Sequence, residues 1–311
     1  MKGKVGYIQG QRIRGGYGNS MDFGLREITW NPISGVTLQQ LINSMTGTAA
    51  APYTIKIPPG TYGPAQLGTA PLLVKPWVNL KGAGGRGRVT IFSGCAVTML
   101  DAAIPAGVNR WRMEGIRLQY TSPLTLLCTA GTHTLVATIE DCPMDGNSPL
   151  VATGNAYGAA TTMINLELRN LNLDHNTIAQ MFTFCRVSFW SCTCLGMYFT
   201  DSDAYWFGCD LSSGCNVVNA GVAGGWFEFN GCKIDTMALN DPTSESVLAT
   251  LCGGGNENVQ LFGTMHGAAD PNAIANWARW QPGALYYRHA NSSLYAKTGV
   301  VGDATWTVVG P

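Results

Sequence analysis

Between residues 111 and 234 apolar and polar residues alternate for four or five positions, the alternation breaks, and it resumes on the opposite parity. Six segments carry this pattern: WRMEGIRL (111–118), ATIEDCPM (137–144), LELRNLNL (166–173), VSFWSCTC (187–194), AYWFGCDL (204–211) and FEFNGCKI (227–234). They align on one small or polar residue, namely Gly115, Asp141, Asn170, Ser191, Gly208 and Gly231. Two positions earlier stand Met113, Ile139, Leu168, Phe189, Trp206 and Phe229; one position later stand Ile116, Cys142, Leu171, Cys192, Cys209 and Cys232. The columns four before and three after the break are also apolar throughout. A flat strand keeps its parity, because successive side chains point to opposite faces. A chain that bends around a central core changes parity at the bend. The aligned residues lie 26, 29, 21, 17 and 23 positions apart, and these spacings suit stacked coils of a parallel β-helix, each a unit that buries its apolar edge against the next.

Upstream, Thr37 is a fair N-cap and Leu38, Leu41, Ile42 and Met45 share one helical face, which predicts a short helix. YTIKIPPGTYG then reads as a strand stopped by Pro58, Pro59 and Gly60. VNLKGAGGRGRVTIF (78–92) contains a G-x-G-x-x-G at Gly82, Gly84 and Gly87. A dinucleotide loop needs a helix after its glycines, to present backbone amides to a pyrophosphate. RVTIF has strand spacing instead, so the glycines read as a corner, with Val78 and Leu80 inward. Residues 1–27 lack periodicity and read as an extended arm; residues 28–266 hold the coils; from 267 the sequence becomes a short β-rich ending.

Composition narrows the function. Charged residues make up 12 % of the 311 positions and the formal net charge is zero, against a usual charged fraction of ~25 %. Nucleic acid is thereby disfavoured as a partner, because binding phosphates needs a surplus of Lys and Arg. A surface so poor in charge suggests extensive cover by protein. No apolar run is long enough to span a bilayer, and MKGKVGYIQGQRIRGG has no apolar core of a signal peptide. Synthesis in a cytosol follows as the expectation, with the ten cysteines starting as thiols.

The entry VTLQQLINSM, YTIKIPPGTYG, WVNLKGAG, followed by the six segments, resembles the pectate-lyase-like right-handed parallel β-helix family over residues 30–266. That resemblance implies an all-β coil with an N-terminal capping helix. It leaves function open, because the fold serves enzymes, adhesins and viral spikes alike. The C-terminal segment resembles the endings of bacteriophage tail fibres and other virion surface proteins, which carry G-S-L-Y, L-Y-x-K-x-G and a final Trp. Here Gly283, Leu285 and Tyr286 match the first element, Leu294, Tyr295, Lys297 and Gly299 the second, and Trp306 the last; Ala284 replaces the usual Ser. The two resemblances imply a homotrimeric virion component, assembled in a host cytoplasm.

Four cysteines, Cys142, Cys192, Cys209 and Cys232, share one inward column. Zinc needs a compact tetrahedron, which a linear column does not provide. Parallel Cβ vectors on stacked coils are also too far apart for a disulfide. The column therefore reads as a ladder of small buried hydrophobes; Cys185, Cys215 and Cys252 fall outside it. Asp201, Asp203, Asp210, Glu228 and Asp235 cluster along the chain, and a suitable pair of carboxylates would hydrolyse a glycan. Acids three to seven positions apart on a coil often face different sides, however, and Lys233 is the one nearby base. The surface-charge reading is favoured over a catalytic one. The four histidines show no metal spacing, and no motif calls for a cofactor. Trp190, Tyr205 and Phe207 occupy outward columns, where they would either pack between subunits or stack on sugar; the subunit interface is favoured. The expectation is a non-enzymatic fibre, spike or capsid decoration, attached to other virion proteins by the arm and contacting host surface glycan. The alternative is a tailspike depolymerase.

Overall fold

The structure is a computed structural model that describes residues 6–8, 11–15, 26–68, 70–84, 90–120, 122–130, 133–145, 148–155, 164–173, 180–211, 216–219, 226–233, 238–240, 246–253, 262–267, 270–273, 283, 285–288, 291–299 and 305–310. It is nearly all-β, a parallel β-helix with a short antiparallel sheet at its C-terminal end. Two compact units divide the chain, Met1–Glu167 with Asn176–Ile178, and Leu168–His175 with Ala179–Pro311.

In the first unit each coil visits up to three sheets. The longest strands, Arg26–Thr29, Tyr53–Ile57, Val78–Gly82, Gly107–Glu114 and His133–Glu140, pair in parallel and in register. A second sheet stacks Gly60–Tyr62, Thr90–Ser93 and Ile116–Gln119, and a third stacks Leu72–Val74, Val97–Met99, Leu124–Leu127 and Leu150–Thr153. Gly82 ends its strand, and a strand, Thr90–Ser93, follows the glycines; Gly87 lies outside the described residues. A β-carbon on Gly82 would sit 2.1 Å from the carbonyl oxygen of Gly115, so this glycine serves a close approach of two coils rather than a phosphate.

The helix α1 (Leu38–Ser44) closes the first coil. Thr37 caps it, its hydroxyl accepting from the Gln40 amide at 3.2 Å while the Gln40 side chain accepts from Thr37 N at 2.9 Å. Leu38, Leu41, Ile42 and Met45 are all buried, as their spacing predicts. Gln39 adds a device that periodicity does not reveal. Its amide donates to Leu73 O at 3.0 Å and accepts from Leu73 N at 2.6 Å, occupying backbone groups on strand Leu72–Val74. Exposed strand edges invite pairing with other chains, and this contact blocks one. In the arm, Gly6–Ile8 and Gln11–Gly15 form an antiparallel hairpin, whose second strand pairs with Arg26–Thr29.

In the second unit, Cys185–Trp190, Asp203–Phe207, Trp226–Asn230, Ser246–Gly253, Phe262–Gly267 and Leu285–Arg288 form one parallel sheet. Ser293–Lys297 and Trp306–Gly310 continue it antiparallel, so the β-rich ending extends the sheet of the coils. Four residues of the terminal pattern, Tyr286, Tyr295, Lys297 and Trp306, are buried there. Asn272 holds Trp306 from both sides, its side chain accepting from Trp306 N at 2.8 Å and donating to Trp306 O at 3.1 Å.

The corner is the signature of the fold. All six aligned residues adopt positive φ, from 51° at Asn170 to 66° at Gly115. One left-handed residue turns the chain and moves the next inward side chain to the other parity. Described residues in the four apolar columns are at most 2 % exposed; Ile234 lies outside the described residues. In the second unit the column before the corner becomes an aromatic stack, with Phe189 and Trp206 centroids 5.3 Å apart and Trp206 and Phe229 4.4 Å apart.

Truncating Trp206 to Ala should cost about 3–5 kcal/mol, as for a buried aromatic. Gly208 has a φ of 61° and open space where a β-carbon would stand. Gly208→Asn should therefore be nearly silent, while Gly208→Val, equally free of clashes, should destabilise by about 1–2 kcal/mol through the backbone alone. Urea unfolding of the three variants checks this; equal effects of Asn and Val would show that φ does not govern the corner.

Candidate functional site

The residue after each corner makes a recurring contact. The Cys142 thiol donates to Met113 O at 3.6 Å, Cys192 to Leu168 O at 3.5 Å, Cys209 to Phe189 O at 3.5 Å and Cys232 to Trp206 O at 3.4 Å. In every case the acceptor is the inward residue two before the corner of the preceding coil. A carbonyl has two lone pairs and accommodates a thiol beside an amide. Serine repeats the contact at other corners. Ser202 lies 3.2 Å from Phe182 O and 2.9 Å from Thr200 O and accepts from Cys185 N at 3.0 Å; Ser122 lies 3.4 Å from Phe92 O, donates to the nearer Gln119 O at 2.7 Å and accepts from Cys95 N at 3.0 Å. The cysteine column is thus both apolar filling and a ladder of weak donors. Cys185 takes the position after Phe184, another corner residue with φ of 51°. Cys215 lies outside the described residues, as does the side chain of Cys252. Among the described residues no group of three His, Cys, Asp or Glu is placed to hold a metal ion.

Burial pushes the Cys142 thiol up to about 12; Cys209 rises to about 12 through its hydrogen bond with Cys192, with burial adding to it; Cys128 rises to about 11 through burial and the nearby Asp101 charge. These thiols are therefore protonated and unreactive at neutral pH.

The chemistry outside the core gathers on the outward face of the long sheet of the second unit. Register places Arg186 beside Asp203, Ser188 beside Tyr205, and Trp190 beside Phe207 on adjacent coils; Tyr205 in turn pairs with Glu228. Arg186 meets the largely buried carboxylate of Asp203 at 3.2 Å. The Tyr205 hydroxyl has its pKa raised by burial first and by the Asp203 charge second; Arg186 opposes this and Glu228 adds to it. Asp203, Tyr205, Glu228 and Arg186 are thus one cluster. Glu228 also accepts from Asn230 Nδ2 at 2.7 Å. The other sequence candidates are elsewhere. Asp201 is buried at a corner with φ of 46°, Asp210 bridges to Thr193 and Lys233 on another sheet, and Asp235 lies outside the described residues.

Beside the cluster runs an aromatic strip. The Trp190 and Phe207 rings stack at 4.1 Å, 16° from parallel, and the Arg169 guanidinium lies 5.7 Å from the Trp190 centroid. Trp190 is 39 % exposed. A second apolar pair stands on the third sheet of this unit, where Met181 and Tyr198 are register partners, 44 % and 41 % exposed. The strands carrying the two pairs are joined by the corners at Phe184 and Asp201, so the pairs stand on two adjoining sheets, with Trp190 and Phe207 at the strand ends farther from those corners. Arg186 and Arg169 escaped sequence reasoning because each lies one whole coil from its partner in the chain. The readable signal was their outward column.

Thiols held protonated make the fold sensitive to alkali. In the unfolded chain a thiol ionises near its ordinary value of 9, whereas Cys142 and Cys209 keep their protons until about 12. Stability should be full below pH 9 and fall progressively as pH rises toward 12, because the unfolded state then binds fewer protons than the folded one. Urea midpoints between pH 7 and 11 measure this, and a midpoint that rises with pH would contradict it.

No family model matches the chain, and no curated protein and no solved structure matches it.

Proposed function

We propose that this chain is a structural, non-enzymatic β-helix of a tailed-bacteriophage particle, a fibre, spike or capsid decoration that works as a homotrimer. The observation that carries the oligomer is the pair of apolar patches, Trp190 with Phe207 and Met181 with Tyr198, on two adjoining sheets of the second unit. A cyclic trimer is held by a heterologous contact, in which one patch of each subunit meets a different patch of the next. Two apolar patches on adjoining faces meet that requirement. A charged fraction of 12 % and zero net charge agree with a surface covered by neighbours. The virion setting draws on the terminal pattern Tyr286, Tyr295, Lys297 and Trp306, whose members pack together. In this reading the arm joins the protein to other virion components, and the coils form a rigid shaft that presents host-facing surface.

A specific observation favours one alternative. Asp203 and Glu228 both act on Tyr205, with Arg186 against Asp203, and such a cluster of carboxylates, phenol and guanidinium is a site where glycan cleavage would begin. The pairing of Asp203 with Arg186 argues for a fixed structural role.

Sedimentation of the purified protein at about 10 μM should give a trimer. Trp190→Ser with Tyr198→Ser should weaken association roughly 30-fold or more, as for interface aromatics, with the coil still folded. A monomeric wild-type protein would remove the trimer. Release of sugar from host capsule or lipopolysaccharide, lost in Asp203→Asn with assembly intact, would replace the structural reading with the depolymerase.

A further inference from the structure

A cleft of about 400 Å³ opens in the first unit. Its walls are the end of α1 and the following loop, the turn at Lys75–Trp77, and the segment 102–105. The volume lies within the range of small-ligand sites. Two features of its wall are unusual, and they are independent.

The first is a cation without a counter-charge. Lys75 is half-buried, and among the described residues no carboxylate lies within 4.0 Å of its ammonium. Its one recorded contact is a long donation to Asn43 O, 3.4 Å. The other described lysines of this unit are paired: Lys56 meets Glu27 at 2.8 Å and Lys81 meets Glu114 at 2.5 Å. Removing an ammonium from water without an opposing charge is unfavourable, and burial accordingly lowers the Lys75 pKa. A bound carboxylate would supply the missing charge.

The second is strain. Trp77 adopts φ of 63°, a conformation that a bulky side chain seldom takes. Three contacts impose it. Tyr53 N donates to Trp77 O and Trp77 N donates to Arg110 O, both at 2.8 Å. Gly47 packs so closely that a β-carbon there would lie 2.5 Å from Trp77 O. The other described positions of this unit with positive φ are Gly35, Gly60, Gly68, Gly94, Gly107, Gly115, Tyr120 and Asp141. A glycine would serve at position 77 without strain. Trp77 lines the cleft beside Lys75, and a bulky residue kept where glycine would be free of strain points to a role for its side chain.

We infer that the cleft binds a sugar acid, with its carboxylate on Lys75 Nζ and the apolar face of its ring on Trp77. Pro105 adds apolar wall, and the Thr46 hydroxyl and the Asn43 amide offer partners for ring hydroxyls. A flat aromatic acid would use the tryptophan and the lysine but neither of those polar groups. The assignment is independent of the trimer, since the aromatic strip takes no part in it.

Calorimetric titration and saturation-transfer NMR of the full-length protein with glucuronic acid, N-acetylneuraminic acid and glucose test it. One of the acids should bind at about millimolar strength or tighter, and glucose at least tenfold more weakly. Lys75→Met should weaken the acid tenfold or more and abolish the preference over glucose. Trp77→Gly relieves the backbone strain while removing the ring, so it should raise the thermal midpoint or leave it unchanged and still lose binding. A glycan that ends in the acid should compete with the free sugar if the natural ligand is a chain terminus, and should fail to compete if the ligand is a free sugar acid. Unchanged affinity in Lys75→Met, equal binding of glucose, or no binding of either acid at about 10 mM would overturn the inference.

Discussion

A single left-handed residue per corner is the constraint on which the rest of this structure depends. A strand that continued straight would carry its inward side chains out of the core within one coil. One residue at φ between 51° and 66° turns the chain and flips parity, so that inward positions run two before and one after the bend. At the corners between the long strands and the second sheet, Gly115, Gly208 and Gly231 adopt this conformation without penalty, and Asp141 and Asn170 belong to the types that tolerate it best. Ser191 has no such excuse. It sits between Trp190 and Cys192, where the stacks of Phe189 on Trp206 and of Trp190 on Phe207 fix its register against the following coil. The position shows tertiary packing overriding a local preference.

Once the corner is set, stacking does the remaining work. Each inward residue meets its equivalent on the next coil, so side-chain shape is selected by column. Phe189, Trp206 and Phe229 form planes within 9° of parallel, and across the core Phe182 and Phe199 stack at 5.1 Å. Immediately after the corner, Cys142, Cys192, Cys209 and Cys232 supply both volume and a donor. The same column holds Ile116 and Leu171 on other coils. The hydrogen bond is therefore an addition to packing rather than a condition for it. Thiols cost less to bury than hydroxyls, which suits positions below 3 % exposure.

Much of this was legible in the residues. Parity change is a strong signal because it repeats, and columns such as Met113 to Phe229 leave one consistent register. The capping box at Thr37 is a local motif and reads locally. What stayed hidden has a common cause, which is that the partners are 17 to 34 residues apart in the chain. Arg186 with Asp203, Gln39 with Leu73 and Lys81 with Glu114 are neighbours through stacking alone. Coil lengths vary, so no fixed offset finds them. The strain at Trp77 was hidden differently. Its residue type argues against the conformation, and the contacts that enforce it come from Tyr53, Arg110 and Gly47, on other segments of the chain.

Stacking also turns single outward residues into stripes, and the character of a stripe follows from its neighbours. In the first unit Lys81, Arg112, Glu114 and Glu140 form a charged ladder whose members neutralise one another across coils. Exposed pairs of this kind add little stability, but they keep a sheet face soluble and specify nothing else. In the second unit the corresponding outward positions hold Trp190 and Phe207, with Arg169 over the indole. An exposed aromatic pair on a rigid parallel sheet carries no conformational entropy that binding must remove beyond two side-chain torsions each. It is preorganised to receive a flat apolar partner. The parallel coil thus converts a choice of residue type at one strand position into a surface property shared by adjacent coils.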